Sequence, residues 1–560
     1  MFHYQTYPFS IPPELSDSES KTHDVVVVGA GPVGLTLALA LAKQGVAVVL
    51  LDESNQVSEG SRAICFAKRS LEIFYKLGVA KPMLDKGVKW DVGRIFFKEN
   101  EIDRFDLSPE KNSKYPAFIN LQQYYVEHFL IDAVLQEKNI DVRWLNKVSG
   151  ISQTAEGVTV NIETQAGNYD LKSKFLVAAD GSRSKIRSLM GLEMSGERFE
   201  ERFLIADFKM EADFPSERWF WFDPPFAPGQ SILLHKQPDN LWRLDFKLGT
   251  HADTAVVNDK AFLTEKIKSV VGNRDFELDW CSIYSFSSKK LERFVHDNVI
   301  FVGDSAHVVS PFGARGANSG IEDADNLSWK LAAILQGQNK HLLETYNAER
   351  TAAADQNIAC TGQSNTFIAP QGEAATAIRN SILEKAKTGS KYKKQINCGR
   401  LSVPCVYGQY PESKEGIWKN QNLEPGRAVI DCRIGKEYLI HKVGYHFTLL
   451  IGKNQLTPED KKQLAQVKTD FLEIDLLKNE AIAKLYELSE GGAYLFTPDQ
   501  YVLGRWRTLS MNAIVDLIGA YLSGHVFVEG SLIKTEQEII DEEVAKILRN
   551  AHFLTPINQS

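Results

Sequence analysis

Three glycines and an aspartate near the start of the chain are spaced to hold a dinucleotide. Residues 24–52 read DVVVVGAGPVGLTLALALAKQGVAVVLLD, a GxGxxG pattern between two apolar runs. Gly29 permits the tight turn, Gly31 lets a pyrophosphate approach bare backbone, and Gly34 lets the next helix pack closely on the strand. The phosphates then rest on a helix N-terminus, where unpaired N–H groups and the macrodipole favour negative charge. Asp52 ends the second run, where a carboxylate accepts hydrogen bonds from a ribose. Arg62 follows in the loop EGSRA, ahead of a helical pattern, where it can meet a pyrophosphate or the edge of a ring system.

Two later stretches repeat this chemistry at strand ends. FLVAA at 175–179 runs into Asp180-Gly181-Ser182-Arg183-Ser184, with Arg187 one turn later. Ligands of open α/β sheets bind beyond the carboxyl ends of strands, so Arg183 and Arg187 are expected to face an anion. VIFV at 299–302 leads into Gly303-Asp304 and a glycine-rich loop ending at Asn318, with a helix expected from near Gly320 to Leu335. Such a loop aims a helix N-terminus and several N–H groups at its occupant, which stabilises developing negative charge. A reduced flavin, anionic at its N1–O2 edge, suits it.

The elements that must place these residues follow from periodicity. Residues 25–28 are an unbroken β-branched run, as a buried parallel strand requires, and 35–41 are apolar all round, which predicts a buried helix. Gly45 is its expected C-cap, before a strand at 46–51. Residues 1–22 are polar and read as a surface arm. A helix is predicted over 68–77, alternating strands over 89–105, and an amphipathic helix over 120–136 carrying Gln122, Gln123 and Glu127. Strands follow at 142–148, 157–162 and 169–179. Between 196 and 286 Phe and Trp become dense (Trp219, Phe220, Trp221, Phe222, Trp242, Phe246) and helix signals fade. This predicts a mostly antiparallel sheet whose aromatic face covers a pocket, with most of the rings simply core.

Bulk properties bound the possibilities. At 560 residues the chain exceeds one core, so two or three domains are expected. A net charge of −8 gives no basic surface for nucleic acid, and no apolar run reaches the length of a membrane span. Six scattered cysteines without a CxxC pair argue against disulfide frameworks and zinc sites; they read as free thiols, and the protein as cytoplasmic.

Taken together, GAGPVG, SRAICFAKRSLEI, the helix with Gln123 and Glu127, DGSRSKIR, and GDSAHVVSPFGARGANSGIEDADNLSWKL resemble the single-component FAD-dependent aromatic hydroxylases, the p-hydroxybenzoate hydroxylase-like flavoprotein monooxygenases. The 3-(3-hydroxyphenyl)propionate and phenol hydroxylase-type subgroup is the nearest look-alike. The resemblance implies that Gly29, Gly31, Pro32 and Gly34 hold the FAD pyrophosphate and Asp52 the adenosine ribose, while Arg62 and Gln123 approach the flavin. Asp180 and Arg183 would serve both FAD and the nicotinamide nucleotide. Gly303 and Asp304 would hold the ribityl chain. Pro311, Gly313, Arg315, Gly316, Ala317 and Asn318 would wrap the isoalloxazine. Where many relatives carry Gly-Gln, this chain has Ala314-Arg315, which would add positive charge near the flavin.

The implied fold is α/β: a Rossmann-like FAD-binding domain (23–90, 120–195 and 287–362) with an inserted, mostly antiparallel substrate-domain sheet (91–119 and 196–286). Residues 1–22 form the arm and 363–420 a connector holding one helix. A C-terminal thioredoxin-like domain covers 421–550, with strand-like 438–451, a helix capped by Thr457 and Pro458, strands at 471–477 and 494–503, and a last helix near Thr535. Without a CxxC it would serve structure or a homodimer contact. The implied chemistry is reduction of FAD by NADH or NADPH, reaction with O2 to a C4a-hydroperoxide, and oxygen transfer to a small phenolic or related aromatic substrate. His235, Arg243 and Tyr284 are the candidates for orienting the ring and taking its proton. Two other readings stay open: a flavin-dependent halogenase, because WFWFDP at 219–224 imitates a WxWxIP signature, and a flavin-binding protein without turnover.

Overall fold

In the computed structural model, residues 4–16, 21–60, 62–107, 113–249, 259–393, 396, 401–408 and 418–524 are described. The first of its two large sheets is built on parallel pairing. Its main path runs Val295–His296, Val299–Phe301, Gly167–Ala178, Thr22–Val28, Val48–Asp52, Ile140–Trp144, and all pairs but the first are parallel. Val28 is level with Leu51 on one side and Ala178 on the other, and Ala178 is level with Phe301. The loops at Gly29, Asp180 and Gly303 therefore leave the sheet side by side, at the carboxyl ends where such sheets bind ligands.

The helix Pro32–Ala42 is buried on every side from Gly34 onward, as its sequence requires, and Gly45 takes the left-handed conformation that ends it. The helix carrying Gln123 begins at Gln123 and ends at Val134. The helix expected near Gly320 begins four residues earlier and spans Gly316–Leu335, so its first turn belongs to the glycine-rich loop.

The second sheet has the order His307–Val308, Glu277–Lys290, Ser195–Lys209, Leu241–Gly249, Ser231–Lys236, Arg218–Phe222, Val92–Phe97, Asn100–Asp106. It is antiparallel except between Arg218–Phe222 and Val92–Phe97. Strands within 92–106, 195–249 and 277–290 thus share one sheet, although the strands between 118 and 178 belong to other sheets. The fading of helix signals across this insertion misled at one place: Lys260–Val271 is a helix, capped by Asp259 and packed through Leu263, Ile267 and Val271 beneath Trp242 and Phe208. Trp219 and Trp221 pack in that same cluster.

The N-terminal residues are more than a surface arm. Tyr7 is buried and stacks on Trp144 at 4.9 Å, and Glu14 pairs with the buried Arg143. The described residues 363–386 are likewise more packed than a connector. The helix Leu342–Ile368 continues into them, and the helix Gly372–Ala386 sets Leu383 and Ala386 in a core cluster with Phe97 and Phe222.

A third sheet closes the chain, in the order Thr469–Ile474, Phe447–Gly452, Ala493–Phe496, Val502–Trp506. The first pair is parallel and the rest antiparallel. Residues 438–451 are interrupted by a short 3-10 turn at Leu439–His441, and 494–503 by a turn with Gln500 in the left-handed region, so each expected strand is shorter than predicted. Thr457 caps Pro458–Gln466 through a capping box with Asp460. The last expected helix, near Thr535, lies outside the described residues.

Candidate active site: a cavity between two sheets

A cavity of about 690 Å³ lies where the carboxyl ends of the first sheet face the second. Its flavin-side lining includes Gly29, Gly31, Pro32, Asp52, Arg62, Gln123, Asp180, Arg183 and Asp304. Pro311, Ala314, Arg315, Gly316 and Ala317 line it from the glycine-rich loop. All three strand ends singled out in the sequence thus meet at one space.

The glycine turn is shaped for a bulky anion. Gly29 has φ +107, and a Cβ there would lie 2.4 Å from the Ala179 carbonyl oxygen; one on Gly34 would lie 1.9 Å from the Gly29 oxygen. Gly31 differs, since a Cβ there would meet nothing within 4 Å. The open side of the turn is where a pyrophosphate would approach, over the N-terminus of Pro32–Ala42. Asp52 braces this turn by accepting from Ala30 N at 2.6 Å and Ser54 N at 2.7 Å. Burial pushes its carboxyl up and those two N–H groups pull it back. Asp180 is pushed up by burial and keeps Oδ1 buried without a hydrogen-bond partner, while Oδ2 accepts from Ile186 N. A cradle with space at Gly31, an orphaned carboxylate oxygen and a ring-sized cavity beyond fit FAD.

Several predicted residues build the cavity without lining it. Gly34 provides the close approach of helix to turn. Gly303, at φ +58, donates its N–H to Asp323, and Gly313 accepts from Ser402 N. Asn318 is buried and fastens three segments: its Oδ1 accepts from Ala67 N and Ser70, and its Nδ2 donates to the Cys65 and Ala314 carbonyls. Gln123 accepts from Ala63 N at 3.1 Å and donates to Glu127, which accepts from Ser58 N. The Gln123 helix therefore holds the Arg62 loop in place. Arg315 donates to Asn357 Oδ1 at 2.8 Å while lining the cavity at the start of Gly316–Leu335.

Arg187 does not face an anion. Its guanidinium donates to the Ser305 and Ser182 carbonyls, so it ties the second strand-end loop to the third, whereas Arg183 is exposed at the cavity rim.

The second sheet supplies the other wall, and period-two alternation decides which residues reach it. Phe203, Ile205, Arg218, Leu233, His235, Arg243, Asp245 and Phe286 line it, with Phe312 from the glycine-rich loop. The run Trp219–Phe222 contributes nothing to the lining. Arg243 forms a two-point pair with Asp207, both contacts at 2.8 Å, and donates to the Arg62 carbonyl. His235 is opposite Arg243 and buried; burial and the positive charges of Arg218 and Arg243 hold its imidazole well below the usual range, hence neutral. Tyr284 is opposite Phe203 and stacks with Phe286, but it is not part of the lining. Sequence reasoning missed Arg218 and Asp245. Asp245 was within reach, because LWRLDFKLG alternates apolar and charged residues and Arg243 already fixed which set faces inward.

A family model described as an FAD binding domain matches residues 22–361. A flavin-dependent monooxygenase of Mycobacteroides abscessus is 31% identical over 351 residues, which are 59% of this chain and 71% of the relative. A 3-(3-hydroxy-phenyl)propionate/3-hydroxycinnamic acid hydroxylase of Mycolicibacterium smegmatis is 27% identical over 375 residues, covering 67% of this chain and 66% of that one. Among solved structures, the flavin-dependent monooxygenase PieE, in complex with FAD and substrate, superposes with a TM-score of 0.76 at 22% identity, over 90% of this chain and 99% of its own. The last likeness establishes the fold. No described helix is long and apolar enough to cross a membrane. With its glycine cradle, its three converging strand ends and a match over residues 22–361, the chain belongs to the FAD binding domain family.

Proposed function

We propose that the protein is an FAD-dependent monooxygenase that hydroxylates a phenolic or related aromatic ring at the expense of NAD(P)H and O2. One observation carries this reading. The cavity is shared between loops that fit FAD and a sheet wall that sets the apolar Phe203, Ile205, Leu233 and Phe286 beside a cluster of polar side chains, so a flat ring bearing a hydroxyl has a place against the redox group. Bound FAD supplies the electron transfer from nicotinamide and the activation of oxygen.

The chain's own residues bind, orient and dry. Gly29, Gly31 and Pro32 receive the pyrophosphate, Asp52 the ribose, and Asp180 and Asp304 the linking chain. Arg315 and the N-terminus of Gly316–Leu335 place positive potential on the loop that faces the ring system. Phe203, Leu233, Phe286 and Phe312 exclude water, which suppresses loss of activated oxygen as hydrogen peroxide. Arg183, at the rim, is placed to meet the nicotinamide nucleotide.

The halogenase reading loses its motif, since Trp219 and Trp221 pack in a core cluster outside the cavity. The strand order of the third sheet, a βαβ unit followed by an antiparallel hairpin and the helix Met511–Leu522, supports a thioredoxin-like C-terminal domain in a structural or homodimer role. A cytoplasmic setting accords with the five described cysteines, all free.

The test is direct. The purified protein is expected to be yellow, to oxidise NAD(P)H faster when a phenol is present, and to return that phenol heavier by one oxygen atom. A colourless protein that takes up no FAD, or one that no member of a panel of phenolic acids, indoles and hydroxypyridines stimulates, would refute the reading.

A further inference from the structure

A ring hydroxyl must lose its proton to activate the ring for oxygen transfer, so the cavity needs an acceptor on the wall that holds the substrate. Resting on the aromatic-hydroxylase reading above, we infer that Asp245 is that acceptor: its carboxylate takes the proton of a substrate phenol bound against the second sheet.

Of the groups facing this point, taken element by element, Asp245 is the strongest acceptor; His235 Nδ1 is also buried without a hydrogen-bond partner, but burial and two neighbouring cations lower its basicity. Arg218 comes from Arg218–Phe222, His235 from Ser231–Lys236, Arg243 and Asp245 from Leu241–Gly249, Asp207 from Ser195–Lys209, and Cys65 and Arg62 from the flavin side. Arg218 and Arg243 are permanent cations. Asp207 does not line the cavity, and both its oxygens accept from Arg243. His235 is held neutral with its basicity removed, and burial pushes the Cys65 thiol up to about 11, so it stays protonated. Tyr284, the earlier candidate, is off the lining. Among the described cavity-lining residues, Asp245 is the carboxylate that the second sheet contributes, and its Oδ1 is buried without a hydrogen-bond partner. An orphaned acceptor in a polar, roomy place awaits a donor.

Charge balance favours the same residue. The O–H bond of the phenol breaks, its electron pair stays on the ring oxygen, and a new O–H bond forms on Asp245. One negative charge moves from the carboxylate to the phenolate, so the net charge of wall and substrate together is unchanged. Burial pushes the Asp245 carboxyl up to about 6, with Arg243 and Arg218 opposing it. It is therefore ionised at neutral pH yet far more basic than an exposed aspartate, as a base working near neutrality should be.

The experiment uses the FAD-loaded enzyme and its Asp245→Asn and Asp245→Glu variants. In the absence of NAD(P)H, 4-nitrophenol is the probe, because its ionised form absorbs visible light. At pH 6 the wild type and Asp245→Glu should bind it with a shift toward the phenolate spectrum, and Asp245→Asn without one. In turnover with simple phenols at pH 7, Asp245→Asn should hydroxylate about 100-fold more slowly. That deficit should shrink along a series of increasingly acidic phenols. A phenolate shift retained by Asp245→Asn, or an equal deficit across the series, would overturn the assignment and leave the hydroxylase reading standing. Should Asp245→Asn not fold, the wild type decides: an acid limb near pH 6 in its hydroxylation profile supports the assignment, and a flat profile removes it. If no phenol binds or reacts with the wild type, the hydroxylase reading itself has failed and the assignment goes with it.

Discussion

Asp245 illustrates how one residue trades stability for chemistry. Its carboxyl sits at about 6 in the folded protein against about 4 when unfolded, so the folded state holds the proton more tightly. The stability attached to it is complete below about pH 4 and is lost as pH rises through 6. Asp245→Asn should therefore melt about 2–4 °C above the wild type at pH 8, with the difference gone by pH 4; calorimetry across that range checks it. Gly34 makes the opposite kind of point. A methyl group 1.9 Å from the Gly29 oxygen cannot be accommodated without moving the turn, so Gly34→Ala should purify with at least ten-fold less FAD, measured from its absorbance ratio. Glycine spacing announced that turn in the sequence, because only a few residue types permit such a backbone. Asp245 was signalled only by alternation with Arg243, and Arg218 not at all, since a charged residue in a strand becomes functional only when register and a facing wall place it inside.

At the scale of elements, the helix Gly316–Leu335 is the most heavily constrained. Its Asp323 accepts from His307, Arg350 and Gly303 N, and although burial pushes that carboxyl up, His307 and Arg350 bring it down to about 2. The group's stabilising share is present above about pH 4 and is lost as pH falls toward 2. Replacing Arg350 by Met strands two buried carboxylates, Asp323 and Glu322, and should cost about 3–5 kcal/mol in denaturant melts, whereas an exposed pair such as Arg293–Glu344 should cost under about 1 kcal/mol. At the helix's N-terminal end, Arg315→Ala should slow flavin reduction by NAD(P)H about ten-fold in stopped flow; an unchanged rate would show that the helix N-terminus suffices. The long parallel strands and the buried helices were readable because one period held throughout each. The helix Lys260–Val271 was not, because aromatic density around it overwhelmed a short pattern, and the strands of the last sheet were overextended because their turns lack glycine pairs.

Across the whole molecule, the third sheet is welded to the flavin side. Arg69 donates to the Asp499 carbonyl and to Gln500, Asn326 donates to Asp499, and Tyr521 donates to Glu349, which also pairs with the buried Lys330. A chain ending at Gly408 would leave these charges facing water or one another, and it should accumulate as insoluble protein without FAD. A soluble, yellow truncation would refute that. This union could not be read from the sequence, where the two ends of each contact lie hundreds of positions apart. The division of the cavity between two sheets has a further bearing. On the proposed reading, cofactor recognition would fall to the loops at the strand tips and ring recognition to alternate side chains of the second sheet. Each can drift without the other, so a library confined to Phe203, Leu233 and Phe286 should yield holoenzymes with altered preference among ring shapes, the route by which a single scaffold diversifies its diet.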